Sequence, residues 1–207
     1  MNKDLESTMK KITQDIRDIH YVDEKSIPDI GLYMDQVIQF LDEHLSDSRR
    51  NDDDKIMTKT MINNYAKSGL IPSPEKKKYS AEHVMMLIMI FYYKSFLSIS
   101  DIDKFLGPVI ENHYDKEGAE ISFEDVFHEI FSLLGESREN LDGSVDRAIE
   151  KAGETFQNVD GKEQDWLQTI SFISVLSQDI ISRLLIIERL IDSLPEAGKN
   201  IKDKKQK

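Results

Sequence analysis

The 207-residue sequence contains no cysteine, and this absence excludes several kinds of chemistry at once. Disulfides, thiolate zinc sites and cysteine nucleophiles all need a sulfur atom that the chain lacks. The five histidines offer no substitute, because no two of them stand at the i, i+4 spacing of a helical metal site. Glycine-rich phosphate loops, nucleophile elbows and histidine–zinc motifs are missing as well. We therefore expect a protein that is not an enzyme and that needs no cofactor or metal ion.

Long hydrophobic runs and an overall basic charge are also missing. The most apolar run, Val84–Tyr93, is about half as long as the ~20 residues that span a bilayer. The first residues, MNKDLESTMKKITQDIRDIH, are charged throughout and lack the apolar centre of a signal peptide. A formal net charge of −12 argues against a protein that coats nucleic acid without regard to sequence. We expect a soluble, cytoplasmic protein with no membrane partner.

Helical periodicity dominates the residues that are present. Apolar side chains recur three and four positions apart, between serine or threonine caps and glycine or proline breaks. Strand signals are nearly absent outside the segment around Lys76, so the predicted fold class is all-α with at most one small β-hairpin. The predicted helices cover residues 3–20, 29–45, 58–69, 81–97, 98–107, 122–135, 144–156 and 166–194.

One segment, TKTMINNYAKSGLIPSPEKKKYS at residues 58–80, differs from the rest of the chain in charge. The window Lys55–Ser80 holds six lysines and one acid, so it carries +5 while the remainder carries −17. Thr58 or Thr60 can cap a short helix that ends at Gly69, the residue type favoured just past a helix end. The prolines that follow forbid its continuation and leave room for a short hairpin or wing.

This short helix has a polar face that could read DNA. Its apolar side chains are predicted to face inward, while asparagine can bond adenine through two hydrogen bonds and lysine can contact phosphate. The alternative is that the lysines form a solvated loop and the asparagines are ordinary surface residues. The predicted DNA-binding residues are Lys59, Thr60, Asn63, Asn64, Lys67, Lys76, Lys77, Lys78 and Tyr79.

The motifs TMINNYAKSGLIP, EKKKYS, AEHVMMLIMIFYYK and SISDIDKFL stand in this order between Thr58 and Leu106. In this order they resemble the DNA-binding domain of the MerR family of transcription regulators. With Ile27–Leu45 added, the segment is also similar to an uncharacterised bacterial family catalogued as domain of unknown function 1836. The resemblance implies a winged helix-turn-helix, double-stranded DNA as the partner, and transcription regulation as the function.

The last predicted helix carries a heptad pattern that suits self-association. Its apolar positions alternate steps of four and three, and a second apolar stripe runs beside them. One stripe could pack inside the protein and leave the other for a second copy; the alternative is a helix buried on both sides. We call the heptad positions the seam: Trp166, Ile170, Ile173, Ser177, Ile180, Leu184, Ile187, Ile191 and Leu194. Dimerisation is predicted at Ile173, Ser177, Ile180, Leu184, Ile187 and Ile191.

The sequence thus predicts four parts. Residues 1–28 form an N-terminal amphipathic helix and linker, and residues 29–106 form the MerR-like winged helix-turn-helix domain. Residues 107–197 form an α-helical region for dimerisation or for binding an effector of unknown identity, and residues 198–207 form a disordered basic tail. The expected function is sequence-specific DNA binding by a homodimeric transcription regulator. The alternative is a non-enzymatic protein–protein adaptor that uses the same scaffold without binding DNA.

Overall fold

The structure of the chain is a computed structural model that describes residues 3–19, 21–51, 53–116, 118, 120–139 and 142–195. The predicted tail at residues 198–207 lies outside these ranges. The chain divides into two compact units, one formed by Met1–His20 and Ser132–Ile187 and the other by Tyr21–Phe131 and Glu188–Lys207. The predicted boundary between residues 106 and 107 falls inside a helix of the second unit.

Among the described residues the secondary structure is mostly helical, and the all-α class is confirmed apart from one two-stranded sheet. The elements are α1 (Lys3–Arg17), β1 (Leu32–Tyr33), α2 (Met34–Leu45), α3 (Lys59–Ser68), β2 (Lys78–Tyr79), α4 (Ala81–Tyr93), α5 (Ile99–His113), α6 (Phe123–Glu139), α7 (Asp142–Gly153) and α8 (Gly161–Ser193).

Helix α4 is the centre of the unit that contains Tyr21–Phe131. Every residue from His83 to Ile90 is buried, so the helix has no solvent-facing side over two turns. A helix that is apolar all round needs neighbours on every side. The other helices of this unit supply further buried side chains: Val37 and Leu41 from α2, Ile62 from α3, Ile102 and Leu106 from α5, and Phe123 and Phe127 from α6.

The sheet joins two segments that are distant in the sequence. Strand β1 pairs antiparallel with β2, with Leu32 opposite Tyr79 and Tyr33 opposite Lys78. The sequence predicted a helix from residue 29, so the start of that helix was wrong. Leu32 and Tyr79 are both buried. Because their burial favours the pairing, residues 32 and 33 form a strand with β2 instead of the first turn of a helix.

The helix caps follow the sequence pattern closely. Thr58 Oγ1 accepts a hydrogen bond from the Met61 amide at 3.2 Å, and Ser98 Oγ accepts one from the Asp101 amide at 3.1 Å. Ser80 forms a capping box with His83 at the start of α4. Each cap satisfies a backbone N–H group that has no partner inside its helix. The sequence left Thr58 or Thr60, and Ser98 or Ser100, open as caps; the structure has Thr58 and Ser98, and the predicted Ser80 cap is confirmed.

Two predicted helix ends were wrong, because the helices continue past a proline and a glycine that were expected to end them. Helix α5 continues through Pro108 to His113, although proline removes one backbone hydrogen bond. Its buried face explains the continuation, since Ile102, Leu106 and Ile110 follow one another at four-residue steps. Helix α6 likewise passes Gly135 and ends at Glu139. Helix α4, in contrast, ends at Tyr93 rather than near residue 97.

The unit that contains α1 is a small helical cluster. Met9 of α1 packs against Val145 and Ile149 of α7, with Leu5 and Phe172 beside them. The side-chain amide of the fully buried Gln168 donates to the carbonyls of Gly153 and Thr155, both at 2.9 Å. These bonds fix the end of α7 against α8.

Helix α8 is long and apolar enough to cross a membrane, although charged residues interrupt its apolar sequence. An 18-residue window within it has a mean hydropathy of 1.7, and none of that window is buried. Asp179 and Arg183 interrupt the apolar run, and they form an i, i+4 ion pair at 3.0 Å. Length and composition alone are weak criteria, because the core helices of soluble proteins meet them as well.

Gly69 generates the first prediction. It ends α3 with φ +83°, and a β-carbon there would meet no atom within 4 Å, so only the backbone conformation opposes a side chain. We expect Gly69→Val to lower the free energy of unfolding by about 1–2 kcal/mol in denaturant titrations, because β-branched residues are strained at positive φ. Gly69→Asn is the control and should cost less, since asparagine tolerates this region. Equal losses for the two variants would contradict the assignment.

Candidate nucleic-acid interface

Helix α3 has one exposed polar face and one buried apolar face. Ile62 and Tyr65 are buried beneath it, at 0% and 7% exposure. The opposite face carries all five polar residues that the sequence predicted there, and each of them is exposed: Lys59, Thr60, Asn63, Asn64 and Lys67. A recognition helix needs this division between an anchored side and a free polar side.

A tight connection leads from α3 into a hairpin, the segment from Glu75 to Lys78 whose two end residues form an antiparallel bridge. After Gly69 the chain buries Leu70 and Ile71, each at 1% exposure, so the connection is fixed to the core. The carbonyl of Pro72 accepts a hydrogen bond from Nε2 of His83 at 3.2 Å. The position of the hairpin relative to α3 is therefore set by buried contacts within this unit.

The tip of the hairpin is strained. The Lys78 amide donates to the Glu75 carbonyl at 2.8 Å, which closes a four-residue turn with Lys76 and Lys77 at its centre. These two lysines have φ values of +48° and +66°. Turns with positive φ at both central positions favour Asn-Gly, and each residue with a β-carbon costs roughly 1–2 kcal/mol there. The chain therefore keeps two lysines where other residues would be more stable.

The hairpin and α3 meet at the start of α2. The Lys78 ammonium lies 5.5 Å from the centre of the Tyr33 ring, and Tyr33 is the N-cap of α2. Two residues later, Asp35 Oδ1 is 2.6 Å from the Nζ atom of Lys59 at the start of α3. Gly31 makes room for Lys78, because a β-carbon at that glycine would lie 3.1 Å from the lysine Cβ. The predicted basic residues of the helix and of the hairpin thus border one surface.

This surface also has acidic neighbours. Asp35 is highly exposed and offsets the charge of Lys59, and Glu75 stands at the base of the hairpin turn. Within the described part of the chain, Lys67, Lys76 and Lys77 form no ion pair, and Lys78 lies against an aromatic ring instead. The positive charge that is free to meet an anion therefore lies mainly on these four lysines.

Tyr79 does not belong to the surface, although the sequence assigned it there. Its side chain is only 3% exposed and meets the His83 ring edge-on, with the ring centres 5.6 Å apart. Strand alternation explains the difference, because successive side chains of β2 point to opposite sides. Lys78 faces outward, so Tyr79 must face the core.

Sequence reasoning missed the contributions of Tyr33 and Asp35. Both residues lie within one predicted helix, residues 29–45, so neither their exposure nor their contacts with lysines could be anticipated. The available signal was Gly31, which precedes the strand and marks a close backbone approach. Pairing with a residue more than 40 positions away has no local signature.

His83 is a buried ionisable residue of this region. Its Nδ1 atom accepts a hydrogen bond from the Ser80 amide at 3.1 Å, so the proton must be on Nε2, which donates to the Pro72 carbonyl. The Tyr114 ring packs edge-on against it at 5.2 Å. Burial lowers the pKa of His83, and the bond to Pro72 opposes this only in part. The described residues contain no cluster of three or more histidine, aspartate or glutamate side chains that could hold a metal ion.

The seam of α8 differs along its length. Trp166, Ile170, Ile173, Ser177 and Ile180 are exposed, and Leu184 and Ile187 are half-buried. Ile191, in contrast, is buried at 5% exposure and lies in the unit that contains Tyr21–Phe131. The sequence left open whether the seam is interface or core. The exposure of the seam falls from its first half to its last turn.

A comparison with known protein families finds one match. The family described as Domain of unknown function (DUF1836) matches residues 22–130, which is slightly more than half of the chain. The matched range coincides with the continuous part of the second unit, Tyr21–Phe131. Neither the curated proteins nor the solved structures include a match to the chain.

The environment of His83 predicts a pH dependence. Its pKa is lowered in the folded protein, so the unfolded chain binds more protons below the ordinary value of 6.5. We expect the free energy of unfolding to fall as the pH drops from about 7.5 to about 5.5, and His83→Gln to reduce this loss. At about pH 7.5 the substitution itself should lower the free energy of unfolding by about 1–3 kcal/mol, because glutamine cannot form both hydrogen bonds of the His83 ring with the same geometry. The same pH-dependent loss in both proteins would contradict the assignment.

Proposed function

We propose that this protein, which belongs to the DUF1836 family, is a transcription regulator that binds a specific sequence in double-stranded DNA. In this proposal α2 and α3 form a MerR-like helix-turn-helix, and the turn at Lys76 and Lys77 is its wing. The exposed face of α3 reads base edges in the major groove. The lysines of the wing hold the phosphate backbone beside it.

The order and packing of the elements support this proposal. Helix α3 is anchored through Ile62 and Tyr65, and the hairpin is attached to α2 through the pairing of β1 with β2. The described chain therefore holds a polar helix face and a basic tip in a fixed relation. Base contacts need such a fixed relation, because a shift of about 1 Å breaks a pair of hydrogen bonds to one base.

The observation that carries the proposal is the strained pair of lysines. Two residues with positive φ at an exposed tip contribute nothing to the core, and both have side chains that cost stability there. Backbone strain persists where function requires it. Two adjacent ammonium groups at the end of a hairpin suit contacts with phosphate.

The charge distribution supports contact with DNA at this surface alone. The rest of the chain is strongly acidic and repels the duplex, which restricts binding to one orientation. If the four free lysines each neutralise one phosphate, the logarithm of the binding constant should fall with the logarithm of the salt concentration with a slope of about −3.6.

A protein partner is the second candidate, and the acidic neighbours of the surface favour it. Asp35 and Glu75 would repel phosphate but could pair with basic side chains of a partner protein. The adaptor alternative therefore predicts binding that depends on these carboxylates as much as on the lysines. The DNA proposal predicts that their removal strengthens binding.

The hairpin tip generates a prediction in which stability and binding change in opposite directions. We expect Lys76→Asn/Lys77→Gly to raise the free energy of unfolding by about 1–2 kcal/mol, because both residues then suit positive φ. The same variant should weaken binding to every duplex and flatten the salt slope by up to about 2 units. Denaturant titration and fluorescence anisotropy at several salt concentrations measure the two effects.

Lys151→Ala/Lys162→Ala is the control, since it removes two positive charges from exposed positions on α7 and α8. It should leave the salt slope unchanged. A tip variant that is more stable and binds DNA with the original slope would contradict the role of the wing.

The two asparagines of α3 should carry sequence preference. Asn63→Ala and Asn64→Ala are expected to cost about 1–3 kcal/mol on the preferred duplex and little on random DNA, because base-edge contacts carry discrimination. Asn112→Ala on α5 is the control of the same residue type. Equal losses on both duplexes would show that these asparagines do not read bases.

A further inference from the structure

We propose that the exposed half of the seam, together with Ile12 and Ile16 of α1, is the surface on which a second copy of this chain docks. We call this surface the seam face; its α8 members are Trp166, Ile170, Ile173, Ser177 and Ile180. It lies within the unit that contains α1, outside the range matched by the family, and its test does not involve DNA.

The seam face exposes large apolar side chains in a regular row. Trp166 is 67% exposed, Ile173 is 56% exposed and Ile180 is 64% exposed. Their spacing of seven residues keeps them on one side of α8. A neighbouring side of the same helix segment, about 100° around the helix from Ile173, is used internally, because Phe172 packs on Met9, Val145 and Ile149. The other side chains of this unit therefore leave the row uncovered.

The seam face is also depleted in charge. The 13 residues from Trp166 to Gln178 include no Asp, Glu, Lys or Arg, in a chain where 32% of residues are charged. Loss of charge and enrichment in aromatic and aliphatic residues distinguish the centre of an interface from ordinary surface. Trp166 adds the residue type most often found as an anchor in such centres.

A groove extends the seam face onto α1. It has a volume of about 310 Å³, and its lining includes Ile12 and Ile16 of α1, Val145 of α7, and Leu176 and Ile180 of α8. Ile180 belongs to both the groove and the row, so the two form one continuous surface. A groove next to a ridge of side chains is the shape that a two-fold related copy can fill, with each copy supplying both parts.

The size of the seam face matches what a stable dimer needs. If a large side chain offers roughly 200 Å² when fully exposed, the exposed fractions of Trp166, Ile170, Ile173, Ile180, Ile12 and Ile16 together give on the order of 700 Å². Standard interfaces bury about 800 Å² on each partner. The largest apolar patch on a typical monomer is smaller, about 300–600 Å².

Lipid is a poorer occupant than a second copy. The polar helix α1 borders the same surface, with the sequence KDLESTMKKITQDIR and an ion pair between Glu6 and Lys10 at 2.7 Å. Immersing the seam face in a bilayer would bring these charges toward hydrocarbon, which is costly. A second copy covers the apolar row and leaves the charged side of α1 in water.

Ser177 gives the seam face a point of close approach. It lies in the middle of the row, and its hydroxyl donates to the Ile173 carbonyl at 2.8 Å, so this hydroxyl keeps a partner on burial. A small side chain at this place allows two helices to approach each other. We expect the centre of the dimer contact near this residue.

The test is the mass of the full chain at tens of micromolar, measured by light scattering after gel filtration. The wild type should have twice the 24.0 kDa of the chain. Ile173→Glu and Ile180→Glu should each give a folded monomer, because both side chains are exposed in the single chain. Ile186→Glu is the matched control and should remain dimeric, since Ile186 is 60% exposed but lies about 140° around the helix from Ile173.

Single-cysteine variants test the same contact without disturbing apolar residues. The chain has no cysteine, so Ser177→Cys introduces the only thiol. A short bis-maleimide should link two copies through this position. Ser182→Cys, which lies about 140° away around the same helix, should not be linked.

A monomeric wild type, a dimer that persists in both glutamate variants, or equal cross-linking at both cysteines would overturn the proposal. A monomer that floats with anionic phospholipid vesicles, and that loses this property in Ile180→Glu, would assign the seam face to lipid instead. If the glutamate variants unfold, the comparison of Ser177→Cys with Ser182→Cys decides whether two copies meet at the seam face.

Discussion

The pairing of β1 with β2 is the contact on which the candidate interface depends. It places Leu32 opposite Tyr79 and brings the start of α2 beside the hairpin. Because Lys59 of α3 also pairs with Asp35 of α2, the helix face and the lysine tip both border the start of α2. Burial of Tyr79 against His83 of α4 then holds the sheet on the core. Only two residue pairs form this ladder, so its stability must come from the buried side chains and not from the strand hydrogen bonds.

Local signals predicted local structure well. The Thr58, Ser80 and Ser98 caps and the Gly69 end were identifiable because each depends on a few neighbouring residues. Non-local contacts overrode local patterns elsewhere: β1 forms inside a helical pattern, and α5 continues past a proline because its buried face continues. The polar face of α3 was predicted correctly, but Asp35, Tyr33 and the burial of Tyr79 could not be, since all three depend on a strand partner that the sequence does not reveal.

The two units divide the chain's chemistry. The unit that the DUF1836 family matches contains the polar helix face and the strained lysine turn. The other unit contains few charged positions on the first half of α8 and a row of exposed apolar side chains. The lysine turn suits the proposed anionic partner, DNA, and the exposed apolar row suits the proposed second copy of the chain.

The most direct test of the central claim is selection from a random pool of DNA duplexes with the wild-type protein at moderate salt. The account predicts enrichment of one short motif. It also predicts that Asn63→Ala/Asn64→Ala loses this enrichment and still binds DNA through the lysine tip, because phosphate contacts carry no sequence information. A pool that stays random after repeated selection, with no retention of duplex on the wild-type protein, would contradict the account and favour a protein partner for the same surface.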